Sequence, residues 1–120
     1  MSKFGIFACA LLLSVSAAHA QQNGWIGRWH IPENAAACNG KAGESDGLLV
    51  YTATEMFGIE NRCRILSMAR KGAKTELKMR CRGEGSPSND TELLEVVGGK
   101  LQRTVRINGK TETFTYSRCP

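Results

Sequence analysis

The chain has 120 residues, 42% of them hydrophobic and 22% charged, with five cysteines and a formal net charge of +5. That length suits one domain with a modest core and excludes the roomy ligand-enclosing cup of a larger barrel. A charge this moderate does not by itself imply a polyanion partner, so its distribution along the chain carries the information.

Residues 1–20, MSKFGIFACALLLSVSAAHA, place Lys3 before an apolar run and end on Ala18-His19-Ala20. A basic start, a short apolar segment and an A-x-A ending are the marks of a secretory signal peptide. The apolar run is too short to span a membrane and no later stretch competes with it, so no membrane span is expected. Cys9 lies inside the run and is expected to leave with it. Residues 21–120 then form one domain of 100 residues, being 120 less 20, and loss of Lys3 lowers the net charge to +4. The expected location is periplasmic or secreted.

Four cysteines remain, Cys38, Cys63, Cys81 and Cys119. An even number in a short exported chain argues for two disulfides, with three connectivities open to them. No pair has C-x-x-C spacing and His30 is the one histidine left, so neither a metal site nor a cofactor is expected.

Residues 24–31, GWIGRWHI, alternate as a first strand, with Trp25, Gly27, Trp29 and Ile31 on one face and Ile26, Arg28 and His30 on the other. At least one tryptophan is expected in the core. Residues 32–38, PENAAAC, have the proline-first pattern of a single helical turn, stopped by Asn39-Gly40. Residues 48–52 run apolar without alternation, as a strand covered on both faces does. Residues 54–60 read as a bend or bulge leading into the Cys63 strand.

Residues 61–83, NRCRILSMARKGAKTELKMRCRG, read as a hairpin with a cysteine on each arm. Thr75, Leu77, Met79 and Cys81 share one face, while Glu76, Lys78, Arg80 and Arg82 share the other. On the first arm Cys63, Ile65, Ser67 and Ala69 match the apolar set, and Arg62 and Arg64 the charged one. A type I turn over Arg70 and Lys71, with Gly72 as a left-handed bulge residue, pairs Ala69 with Ala73 and sets Cys63 diagonal to Cys81. A longer loop centred on Gly72 sets the two cysteines directly opposite. A two-residue Lys71-Gly72 turn would put them on opposite faces and is rejected. Both surviving registers favour Cys63 with Cys81, leaving Cys38 with Cys119.

Residues 83–90, GEGSPSND, have the composition of a loop. Beyond them, residues 91–97, 101–107 and 111–118 form a meander around Gly98-Gly99 and Asn108-Gly109. Two-residue turns there would set Val96 against Leu101, Leu94 against Arg103, Leu101 against Tyr116, Arg103 against Phe114 and Val105 against Glu112. Thr104 with Thr113 and Gln102 with Thr115 fall on the opposite face, as suits solvent. The whole reads as an all-β fold, a small antiparallel seven- or eight-stranded barrel or sandwich stapled by two disulfides. Closure brings the last strand beside the first, within reach of a Cys38–Cys119 bond.

Gly27-Arg28-Trp29 on the first strand and Arg118 on the last resemble the calycin pattern of lipocalin-type barrels, which implies an arginine of the closing strand packed across an early tryptophan. Trp29, Glu60 followed by Cys63, the run Cys81-Arg82-Gly83-Glu84-Gly85 and the ending Tyr116-Ser117-Arg118-Cys119 also resemble small exported disulfide-bonded proteins of Gram-negative bacteria. That likeness implies compartment and architecture and carries no activity.

Chemistry of the catalytic kind is sparse. His30 stands alone and is expected as an exposed strand position, oxidised cysteines offer no thiolate, and no nucleophile elbow or phosphate loop occurs. Paired acids such as Glu92 and Glu95, or Glu44 and Asp46, are expected as surface solvation. The protein is therefore expected to be no enzyme. What rises above background is charge. Between Arg62 and Arg82 lie eight basic residues and one acid, Glu76. Arg62, Arg64, Lys78, Arg80 and Arg82 line one side of the hairpin, where like charges across a strand pair cost stability. They form a candidate anion-binding face unless acids such as Glu55, Glu60 or Glu95 neutralise them. The expected role is a binding module with a basic β-hairpin face for an anionic envelope partner. The alternative is an inhibitor of a secreted or periplasmic hydrolase, inserting residues 83–90 or the segment after Thr54. Nucleic acid is not expected, since no aromatics interleave the basic residues for base stacking.

Overall fold

Period-two alternation carries most of the chain into strands. A computed structural model describes residues 23–83 and 85–120; the signal peptide expected over residues 1–20, with Cys9, lies outside the described residues. The strands are β1 (Gly27–His30), β2 (Leu48–Tyr51), β3 (Glu55–Gly58), β4 (Asn61–Lys71), β5 (Lys74–Arg82), β6 (Ser88–Val97), β7 (Lys100–Ile107) and β8 (Lys110–Arg118). Each pairs antiparallel with the next and β8 returns to β1, so the sheet closes as a barrel of eight strands.

The seam is short. β1 and β8 share two rungs, Trp29 with Arg118 and His30 with Ser117. The Cys38–Cys119 disulfide reinforces it, with Cα atoms 5.7 Å apart, tying the residue after β8 to a 3₁₀ turn at Ala35–Asn39. Arg118 lies across Trp29, its guanidinium carbon 4.2 Å from the ring centroid, and donates to the Gly24 carbonyl at 2.7 Å. Inside, Trp25, Trp29, Tyr51, Met56, Leu77, Met79, Leu94, Leu101 and the Cys63–Cys81 pair make one core. Both tryptophans are buried, and the Trp29 indole N–H donates to the Trp25 carbonyl at 2.9 Å.

β2 is covered on both faces, as its unbroken apolar run implied. Leu49 and Tyr51 enter the core, whereas Leu48 is buried on the other side, opposite His30. The cover there is the connection between β1 and β2, which Arg28 clamps by donating to the carbonyls of Cys38 and Gly40 at 3.0 and 2.8 Å. His30 is therefore buried and not an exposed strand position, with Nδ1 2.7 Å from the Ile31 carbonyl.

Three local expectations are corrected. Residues 54–60 are no mere bend, since Glu55–Gly58 is a strand between β2 and β4, turned back by Glu60 at a φ of 51°. Residues 88–90 belong to β6 and pair with β5, which leaves residues 83–87 as the connection. The third correction concerns the hairpin turn. Its loop is Gly72-Ala73, flanked by the rung Lys71 with Lys74, and Gly72 takes the positive φ of 63° that its first position needs.

An unbroken ladder from that rung would set Cys63 opposite Arg82 and turn its sulfur away from Cys81. The register slips by one between Ile65 and Ser67, leaving Leu66 as an extra residue, and Cys63 meets Cys81 directly with Cα atoms 4.0 Å apart. The bulge expected at Gly72 is therefore absent, and an unexpected one at Leu66 restores the facing of the cysteines. Ser67 and Ala69, expected to face inward, instead pair with Lys78 and Glu76 on the outer side.

Candidate functional site

Because Cys63 and Cys81 point into the core, their neighbours point out. Arg62 faces Arg82 and Arg64 faces Arg80 on successive outward rungs, with Lys78 further along the same face. All five are exposed. β3 supplies the flank, setting Glu55 beside Arg64 and Phe57 beside Arg62. Glu55 accepts from Arg62 Nε at 2.6 Å, and the Arg62 guanidinium lies 5.3 Å over the Phe57 ring. Hydrogen bonding to Arg62 holds the Glu55 carboxyl below its ordinary pKa. On the other flank Arg80 donates to Asn89 Oδ1 at 3.0 Å.

The expected neutralisation is thus partial. Among the described residues Glu55 is the one carboxylate in ion-pair contact with the face; Glu60 and Glu95 make no such contact. Glu55, Arg62, Arg64, Arg80 and Arg82 line a concavity of about 350 Å³. Lys78 lies outside that lining.

A second charged cluster escaped the sequence reading. Glu92, expected as surface solvation, is 3% exposed. Its carboxylate accepts from the Tyr51 hydroxyl at 2.5 Å and from Arg103 Nε and a terminal nitrogen at 2.9 and 2.5 Å. Arg103 reaches on to the Tyr116 hydroxyl at 3.3 Å. Burial opposes the Arg103 charge, but hydrogen bonds and attraction from Glu92 outweigh it and raise its pKa, so the guanidinium stays ionised. The signal was in the alternation. Leu94 faces inward, so Glu92 two residues earlier does too, and the meander register had already set Arg103 opposite Leu94.

Burial foremost, and then the Glu92 charge, push the Tyr51 phenol well above its ordinary pKa. An unfolded tyrosine ionises near ~10, so above that pH the folded chain holds a proton that the unfolded chain has lost. The stability this confers is complete below the unfolded value and is lost as pH rises through the folded one. Denaturant unfolding followed upward from pH ~9 should show stability falling by up to about 1.4 kcal/mol per pH unit from this group. Tyr51→Phe should remove that part of the slope, and an identical slope in the variant would contradict the assignment.

Pairing of β6 with β7 ends at Leu93 with Thr104, and beyond it the strands diverge around a cleft of about 440 Å³ over Glu92 and Arg103. Asp90 also comes near Cys63 and Cys81, but those sulfurs are joined in a disulfide and are not thiolate ligands. No helix among the described residues is long and apolar enough to cross a membrane.

Fold and geometry define a small disulfide-bonded antiparallel β-barrel with an arginine-rich outer face. No family model matches the chain, and comparison with curated proteins and with solved structures returned no match.

Proposed function

We propose that the protein is a non-catalytic exported binding module, periplasmic or secreted, whose β4–β5 face meets an anionic envelope partner. The observation that carries this reading is the pair of arginine rungs, Arg62 with Arg82 and Arg64 with Arg80, balanced among the described residues by the one carboxylate Glu55. Opposed like charges cost roughly 0.2 to 1 kcal/mol per pair, a cost that an anionic partner removes. Two disulfides suit an oxidising compartment. The module is preferred to a hydrolase inhibitor because the stretch expected to insert gives its last three residues to β6.

Binding to anionic vesicles or an acidic glycan should weaken steeply as salt rises past ~0.1 M, where screening acts within about 10 Å. Reversing Arg64, Lys78 and Arg80 together to glutamate should abolish it, since the face then carries three acids beside Glu55; because the reversed rung still opposes like charges, thermal unfolding checks that the fold is kept. Salt-insensitive binding, or full binding by the triple variant, would sink the reading.

A further inference from the structure

We propose that the concavity between the two arginine rungs is a phosphomonoester site, an inference that rests on the anion-binding reading of the same face and narrows its ligand. The four cations lining it are all arginine, although Lys71, Lys74 and Lys78 lie in the same hairpin. A planar guanidinium fork matches phosphate oxygens two at a time, which an ammonium group does not. Among the described residues, four arginines against Glu55 leave a local charge of 4 − 1 = +3. A singly charged diester or carboxylate would leave most of that uncompensated. A phosphomonoester brings about −1.5 to −2 at neutral pH and three acceptor oxygens on one atom.

The walls are also unequally prepared. Arg62 is held between Glu55 and Phe57, and Arg80 is held by Asn89, so half of the donors are positioned in advance. Arg64 and Arg82 have no hydrogen bond or ion pair with any described residue, which leaves their forks for a ligand. At about 350 Å³ the concavity is at the small end of ligand clefts, sized for a headgroup and not for a folded partner.

The test uses the mature protein and vesicles carrying either phosphatidic acid, a monoester, or phosphatidylglycerol, a diester, at matched surface charge. Binding to the monoester should be tighter by about tenfold or more, the difference that an added bidentate pair brings. Arg64→Lys with Arg82→Lys keeps every charge and should bring that ratio close to one, with salt-dependent binding retained. Competition by soluble glycerol 3-phosphate would assign the site to free phosphomonoesters; selectivity without competition would assign it to surface-borne ones. Equal binding to both vesicles, or undiminished selectivity in the double lysine variant, overturns the phosphomonoester site and leaves the anion-binding module standing. Failure to bind either vesicle or an acidic glycan overturns both.

Discussion

Arg103→Met alone will lower the unfolding free energy by about 3 to 5 kcal/mol, the cost of leaving a buried charge without its partner. Glu92 is 3% exposed, and Arg103 supplies two of the three hydrogen bonds to its carboxylate. Exposed ion pairs are worth about 0 to 1 kcal/mol, so the size of the loss separates a structural interior pair from a solvated one. Glu92→Leu with Arg103→Met and Tyr51→Phe removes both charges and the hydroxyl that would be stranded. This triple variant should recover much of the loss, because hydrophobic replacement of a whole buried pair is often neutral or stabilising. Chemical denaturation of the single and triple variants decides the matter, and a loss under about 1 kcal/mol in Arg103→Met would refute the account. The pair lies where β6 and β7 part, so its loss should also speed amide exchange in Glu92–Leu94 and its partners on β7 first.

Removing the Cys38–Cys119 bond, as Cys38→Ser with Cys119→Ser, should cost about 4.5 kcal/mol on chain-entropy grounds, against about 3 for the Cys63–Cys81 bond. The difference follows from loop size, since the two bonds close sequence separations of 81 and 18. Position adds to it. Cys38–Cys119 braces a seam of only two rungs, whereas Cys63–Cys81 joins strands already paired from Arg62 with Arg82 to Lys71 with Lys74. Thermal unfolding of the two double-serine variants should rank them in that order. Amide exchange in the first should rise at Trp29, His30 and Ser117, with Trp29 emission shifting as Arg118 leaves its ring. Equal losses would mean that the seam needs no brace.

Legibility in this chain depended on whether parity or distance was the question. At the C-terminal meander two glycine-bearing turns, Gly98-Gly99 and Asn108-Gly109, take positive φ at both positions and leave one register each. Every rung expected there is present, down to the 2.9 Å contact between the Thr104 and Thr113 hydroxyls. The β4–β5 hairpin was harder. A turn around Gly72 offers several loop lengths, and the Leu66 bulge that restores parity has no turn residue to mark it. Its outcome was readable even so, because two cysteines and two charged rungs had to keep their faces whatever the turn.

Glu92 shows the opposite failure. Its inward direction followed from alternation, but its burial depended on Tyr51, which lies 41 residues away in sequence on a strand that β6 does not adjoin. His30 is similar, an outward residue made interior by a connection that crosses over it. By itself the sequence favoured the cysteine pairing and marked the outward direction of Arg62, Arg64, Lys78, Arg80 and Arg82 and most strand faces, Ser67 and Ala69 excepted, because a period of two and a sulfur–sulfur bond are local and geometric constraints. Only the tertiary structure decided that the sheet closes as a barrel, that a buried Glu92 is paired with a half-buried Arg103, and that four arginines flank one concavity with Glu55. Those depend on which distant strands meet, and no spacing along the chain records that distance.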